Sequence, residues 1–137
     1  MADVVSAVRT YLLSQSAVTD IIGQRMYFDV LQQNCTLPAA TISKTSESHE
    51  HEISDRAGHV KTRLQITCHA DLRLTANALA EAIYTSGIAA VKGVTNSVNI
   101  RGVTVEDGQR NYVVYDADGG DDHQYVTEFD LMVSYRE

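Results

Sequence analysis

The stretch Val60–Ala70, VKTRLQITCHA, decides the fold. Val60, Leu64, Ile66, Cys68 and Ala70 take its even positions, with Thr62 as the one mild exception. Lys61, Arg63, Gln65, Thr67 and His69 take the odd positions. Successive side chains of a strand point to opposite sides, so this period of two predicts a β-strand with one buried and one exposed face. Leu72 to Gly87 follows directly and reads as a helix, with Ala76, Leu79, Ala80 and Ile83 at i, i+3, i+4 and i+7. Asp71 and Thr75 are its candidate caps, and Gly87 and Gly93 its candidate stops. A two-faced strand and the helix that covers it imply the α+β class: a single, mostly antiparallel sheet with two main helices packed on one face.

Outward from this unit, Asp3 to Ser14 predicts a second main helix. Val4, Val5, Val8, Tyr11 and Leu12 form one apolar stripe, and Asp3 stands where a cap is needed. Ser16 to Gly23 predicts a short helical turn that tucks Val18, Ile21 and Ile22 under that helix. Arg25 to Leu31 reads as a short strand with Met26, Phe28 and Val30 on one face. Pro38 opens the next strand, Ala39 to Ser46, with Ala40 and Ile42 as its buried pair. Glu47 to Gly58, ESHEHEISDRAG, breaks the alternation and predicts a long hairpin loop, functional or mobile. Ser97 to Asp107 changes phase around Gly102, the signature of a β-bulge or sharp bend. Tyr112 to Tyr115 continues strand pairing. Asp116 to Asp122 is a turn, and His123 to Tyr135 is a last alternating strand. No repeat or linker divides the chain, so residues 1–137 are expected to form a single domain.

The composition is that of a folded domain: 44% apolar, 21% charged, net charge −7. An acidic balance argues against tight, sequence-independent binding to nucleic acid, which needs clustered Lys and Arg. It is compatible with DNA sliding past an acidic wall. Two cysteines do not make a disulfide scaffold: Cys68 falls on the core face and Cys35 in a polar turn, both expected as free thiols. The N-terminus, with Asp3 and Arg9 inside its apolar pattern, reads as neither a signal peptide nor a membrane span, so synthesis and assembly in the cytoplasm are expected.

Candidate chemistry is sparse. In the HEHE run from His49 to Glu52, His49 and His51 project to one side of an extended segment, with Glu47 nearby, a pattern open to metal binding. No third fixed ligand is identifiable, and a solvated loop tip is the plainer reading. Asp116, Asp118 and Gly119 hint at a calcium loop, but position 12 is Thr127 and Glu128 comes one place late. His69 and Cys68 are strand neighbours on opposite faces and cannot meet within one chain. There is no nucleophile elbow, phosphate loop or paired CxxC, so neither catalytic residues nor a cofactor are expected.

The order of parts resembles the tail completion (tail terminator) proteins of long-tailed bacteriophages. The resemblance rests on Ile22-Gly23-Gln24-Arg25-Met26-Tyr27, on Leu37-Pro38-Ala39, on the junction of VKTRLQITCHA with the alanine-rich helix, and on the terminal Tyr135-Arg136-Glu137. It implies a non-enzymatic virion protein that forms a ring, commonly a hexamer, on the head-proximal end of the tail tube. Such a ring stops tube polymerisation, meets the head connector and lets DNA pass through its lumen without sequence-specific binding. The implied partners are further copies of the chain, the tube protein and the head-completion or connector protein, with no membrane. The alternatives are a head-completion or stopper protein of the same junction, or a small metal-dependent enzyme using His49 and His51.

A ring subunit needs two different lateral surfaces. The candidate interaction residues are His49, Glu50, His51 and Glu52 in the loop, Lys61 and Arg63 on the central strand, and Glu128 and Asp130 on the last strand. Two arrangements of these charges are open: pairs across one sheet, or pairs between neighbouring copies.

Overall fold

A computed structural model describes residues 3–31, 36–50, 59–86, 88, 93–95, 98–106, 108–115 and 123–136. The chain runs α1 (Val4–Leu13), α2 (Ser16–Ile22), β1 (Met26–Phe28), β2 (Ala39–Glu50), β3 (His59–Ala70), α3 (Arg73–Tyr84), β4 (Gly93–Thr95), β5 (Val98–Val105), β6 (Arg110–Tyr115) and β7 (His123–Arg136). The strands form one mixed sheet in the order β1-β2-β3-β7-β5-β4, with β6 also on β7. Among the described residues only β1 and β2 are parallel; the other pairs are antiparallel.

The alternation in VKTRLQITCHA produces this architecture. Val60, Thr62, Leu64, Ile66, Cys68 and Ala70 are all fully buried, so the even face is core along its whole length. β3 and β7 pair over twelve rungs, from His59 opposite Arg136 to Ala70 opposite Tyr125. Phe129, Leu131 and Val133 thereby line up with Ile66, Leu64 and Thr62 on the core side. α1 contributes Val4, Val5, Val8 and Leu12 to the same core, and α3 contributes Leu79, Ala80 and Ile83. Burying a side chain of this size stabilises by roughly 1.5–3 kcal/mol, so this one contiguous cluster dominates the fold's stability.

Local signals set the element ends. Asp3 caps α1: its Oδ1 accepts from the Val5 amide at 3.0 Å and its Oδ2 from the Ser6 hydroxyl at 3.0 Å. Gly23 closes α2 at φ 60°, a conformation that L side chains rarely adopt. β5 shifts register between Ile100 and Gly102, which is the bulge predicted from the phase change. β5 and β6 follow each other in the same direction along β7, β5 opposite residues 131–136 and β6 opposite residues 123–128.

Four expectations are corrected. β1 ends at Phe28 rather than Leu31, because Asp29 turns the chain at φ 65° and the Val30 amide donates back to the Phe28 carbonyl at 2.6 Å. Phe28 is then half-exposed under the Arg9 guanidinium, 5.3 Å from its ring centroid, and Val30 is exposed, so only Met26 of the expected trio is buried. α3 starts after Leu72, which makes no side-chain cap, so neither Asp71 nor Thr75 caps it. It stops at Tyr84, before either candidate glycine, where the Thr85 hydroxyl donates to the Glu81 carbonyl at 3.0 Å. Finally, β2 does not give way to a loop at Glu47. It continues to Glu50 against His59–Thr62, past a bulge between Lys44 and Ser46. The remainder of the expected loop, residues 51–58, lies outside the described residues, as do Gly87, Cys35 and the turn 116–122.

Candidate functional site

The sheet face opposite the core holds the charged constellation. Strand alternation places Lys61, Arg63, Gln65, Thr67 and His69 there, and pairing with β7 adds Glu128, Asp130, Met132 and Ser134. β6 supplies Arg110 opposite Glu128 and Tyr112 opposite Val126. Two carboxylates on the central strand β7 thus stand between arginines on its two flanking strands.

The contacts are direct. Arg63 Nη1 lies 3.4 Å from Asp130 Oδ2. Arg110 reaches both acids, with Nε 2.7 Å from Glu128 Oε1 and Nη2 3.3 Å from Asp130 Oδ1. Gln65 Nε2 donates to Glu128 Oε2 at 2.8 Å, and the Tyr112 hydroxyl donates to the same oxygen at 3.1 Å. These bonds explain the proton affinities. The hydrogen bond to Glu128 is the main reason that the Arg110 pKa is raised, the Glu128 and Asp130 charges adding to it. Burial first, then the bond to Glu128, raises the Tyr112 phenol. Burial lowers His69, against the opposing pull of its bond to Gln124 (3.3 Å) and of the Glu128 charge.

Arg63, Glu128 and Asp130 are therefore brought together within one sheet, as cross-strand pairs. Lys61 is exposed on the same face, opposite Ser48 and Ser134 rather than opposite either acid. His49 and Glu50 belong to the backbone ladder of β2, opposite Val60 and His59, whereas His51 and Glu52 lie outside the described residues. No group of three or more metal-ligating side chains occurs among the described residues. A cavity of about 220 Å³ opens beside β6, lined by Arg73, Asn111, Tyr112, Val113, Tyr125, Val126 and Thr127. It holds no Ser, Cys or His that could be paired as nucleophile and base.

Three groups were missed in the sequence. Arg110, the most connected cation of the face, sits in phase with Tyr112 and Val114, a signal present once the strand is started two residues earlier. Glu47 is no loop residue: on the core side it accepts from the Tyr135 hydroxyl at 2.9 Å and from the buried Thr62 hydroxyl at 3.4 Å. This explains how a threonine occupies an otherwise apolar face. Thr127 lies 2.7 Å from Asn111 Oδ1 and 3.0 Å from Asn77 Oδ1, tying β6 and α3 to β7.

The described residues thus form a mixed sheet with a helix-covered core side and an opposite face of mutually paired charges. Residues 6–86, more than half of the chain, match the family model described as "Tail completion protein gp17". The chain belongs to this family: it is a structural protein of a phage tail, located in the virion tail. No curated protein sequence matches it. Among 26 matching solved chains is one from the "Virion of native gene transfer agent (GTA) particle". That chain is 16% identical, with a TM-score of 0.61, covering 95% of this chain and 92% of its own, which shows a shared fold.

Proposed function

We propose that the chain, acting as one unit over residues 1–137, forms a ring on the head-proximal end of the tail tube. There it ends tube polymerisation and presents a surface to the head connector, with DNA passing through the centre. The observation that carries this reading is the membership in the tail completion family, together with a sheet whose charged residues neutralise one another instead of converging on a reactive atom. The role is structural: arginine–carboxylate pairs on strands fix the sheet's shape and do no chemistry. The family and the shared fold leave the ring size open, and a hexamer is the closure that fits this reading.

The test is electron microscopy of tails made without the protein. Tubes of unregulated length, returned to uniform length when the purified protein is added during assembly, are the expected result. Tails of normal length that join heads in its absence would remove the proposal. Tails of normal length that fail only to hold heads would move the protein to the stopper position instead.

A further inference from the structure

At one lateral end of the sheet, β1 stops in a tight turn. The Asp29 amide donates to the Ile42 carbonyl at 3.0 Å, and the Val30 amide to the Phe28 carbonyl at 2.6 Å. Asp29 holds φ 65°, a left-handed conformation that a non-glycine residue keeps only where its surroundings impose it. The turn is thus a fixed knob, Phe28-Asp29-Val30, with all three residues exposed, Phe28 45% and Val30 72%. Phe28 stands opposite the core residue Ile42, and Arg9 of α1 lies over its ring, so the knob belongs to the helix side of the sheet. The edge of β1 itself is closed to strand pairing. Arg9 Nε takes the Met26 carbonyl at 2.7 Å, the Met26 amide donates to the Gln24 carbonyl at 2.9 Å, and the Phe28 carbonyl is held by Val30. This end can therefore offer a partner side chains: two apolar groups and a carboxylate.

The other lateral end carries the cavity of about 220 Å³ between β6 and the start of α3. Asn111 and Val113 stand opposite Thr127 and Tyr125, and Thr127 bonds to Asn77 of α3, so the cavity too opens on the helix side. Its rim is apolar: Tyr112 and Val113 are exposed, as are Leu72 and Leu74 beside Arg73. Arg73, itself exposed, is the one charged residue among the described residues that line it. Among the described residues, neither the Asp29 carboxylate nor the Arg73 guanidinium has a hydrogen-bond or ion-pair partner. An apolar knob with an unpaired acid and an apolar cavity with an unpaired cation are complementary.

We infer that the knob Phe28-Asp29-Val30 of one copy seats in the β6–α3 cavity of the next, with the Asp29 carboxylate on the Arg73 guanidinium. This rests on the ring reading above and assigns its two lateral surfaces. Knob and cavity are different surfaces, so the contact is heterologous, and repeating one rotation closes a cycle. A two-fold contact would instead set knob on knob or cavity on cavity, Asp29 facing Asp29 or Arg73 facing Arg73, and like charges oppose both.

The test uses the full chain, alone and on purified tail tubes. In a Cys35→Ser background, Cys68 being fully buried, Val30→Cys and Val113→Cys subunits are mixed with a short bis-maleimide. Covalent dimers that neither variant gives alone are expected, and from the double variant a ladder ending at the ring. Val30→Asp should abolish the ring in native mass spectrometry while leaving the melting temperature of the dissociated chain unchanged. Asp29→Asn, which keeps a residue that tolerates the left-handed turn, and Arg73→Gln should each weaken subunit association roughly two- to fivefold, and the two together no further than either alone. Cross-linking of Val113→Cys with itself would overturn the inference in favour of a two-fold contact. Wild-type rings that give no Val30–Val113 product, a Val30→Asp variant that still closes, or losses from Asp29→Asn and Arg73→Gln that simply add would overturn it while leaving the ring reading intact. A wild-type chain that stays monomeric alone and on tubes would overturn the ring reading itself, and this inference with it.

Discussion

The Arg63–Asp130 pair separates an internal role for the charged face from an intersubunit one, and a double-mutant cycle reads the difference. The perturbations are Arg63→Ala, Asp130→Ala and the two together. At about 4 Å two unit charges attract by ~1 kcal/mol in water and ~4 kcal/mol near a protein surface. The side chains are 36% and 19% exposed at 3.4 Å, so solvent and side-chain entropy remove most of that. A coupling of about 0.2–1 kcal/mol remains. For 137 residues this is roughly 1 to 3 °C in melting temperature. Asp130 also meets Arg110, but that contact is lost in both Asp130 backgrounds and cancels in the cycle. The assay is thermal unfolding of dilute, dissociated subunits in low salt and again in 1 M salt, where the Debye length falls to about 3 Å. The coupling should be present in the dissociated chain, independent of its concentration, and should shrink in high salt. A coupling that is zero in the dissociated chain and emerges only on assembly would refute the intramolecular pairing.

Three other outcomes are expected. Thr127→Val should cost about 1–3 kcal/mol in denaturant unfolding, because it removes the hydroxyl shared by Asn77 and Asn111 at a site 1% exposed. Burial lowers the folded-state pKa of His69, so its contribution to stability is complete above the unfolded value of 6.5 and is lost as pH falls from there towards the folded value. Unfolding free energies between pH 7.5 and 5 should show this slope, and His69→Gln should flatten it. In a Cys35→Ser background the thiol of Cys68, fully buried and with its pKa pushed far up by burial, should react with a thiol reagent only after unfolding.

Most of the fold was legible wherever a buried face imposed a period. β3 shows it in eleven residues, β7 in thirteen, and the phase change at Gly102 marks the bulge between Ile100 and Gly102. The misses fall where burial is not the constraint. Residues 47–50 carry no apolar alternation, yet the backbone ladder needs none, and on the core side there Glu47 accepts from the hydroxyls of Thr62 and Tyr135. β4 has three residues, too few for any period to register. β1 read as too long because Asp29, a residue that tolerates the left-handed region, does not announce a turn as Gly would. The charged face was half legible: Arg63, Glu128 and Asp130 were placed on exposed faces, but which strands would be neighbours was not encoded locally, so Arg110 went unnoticed.

The net charge of −7 suggested an acidic wall towards passing DNA, but charge is distributed by face, not by total. On the open face, around β7, Arg63 and Arg110 stand beside two acids, Glu128 and Asp130. Both acids are engaged by arginine. The acidic excess lies elsewhere, much of it in chain connections such as Asp116 to Asp122 and at Glu52 and Asp55. A ring of this chain would turn this face uniformly inward or uniformly outward, since rotation about one axis cannot alternate it. With both acids paired to arginine, an inward face would offer a phosphate backbone few free donors, because each carboxylate bond already occupies part of the guanidinium. An outward face would leave the helices to line the lumen instead. If DNA passes through the proposed ring, the salt dependence of its passage would separate the two, because only a basic wall exchanges counterions with a moving duplex.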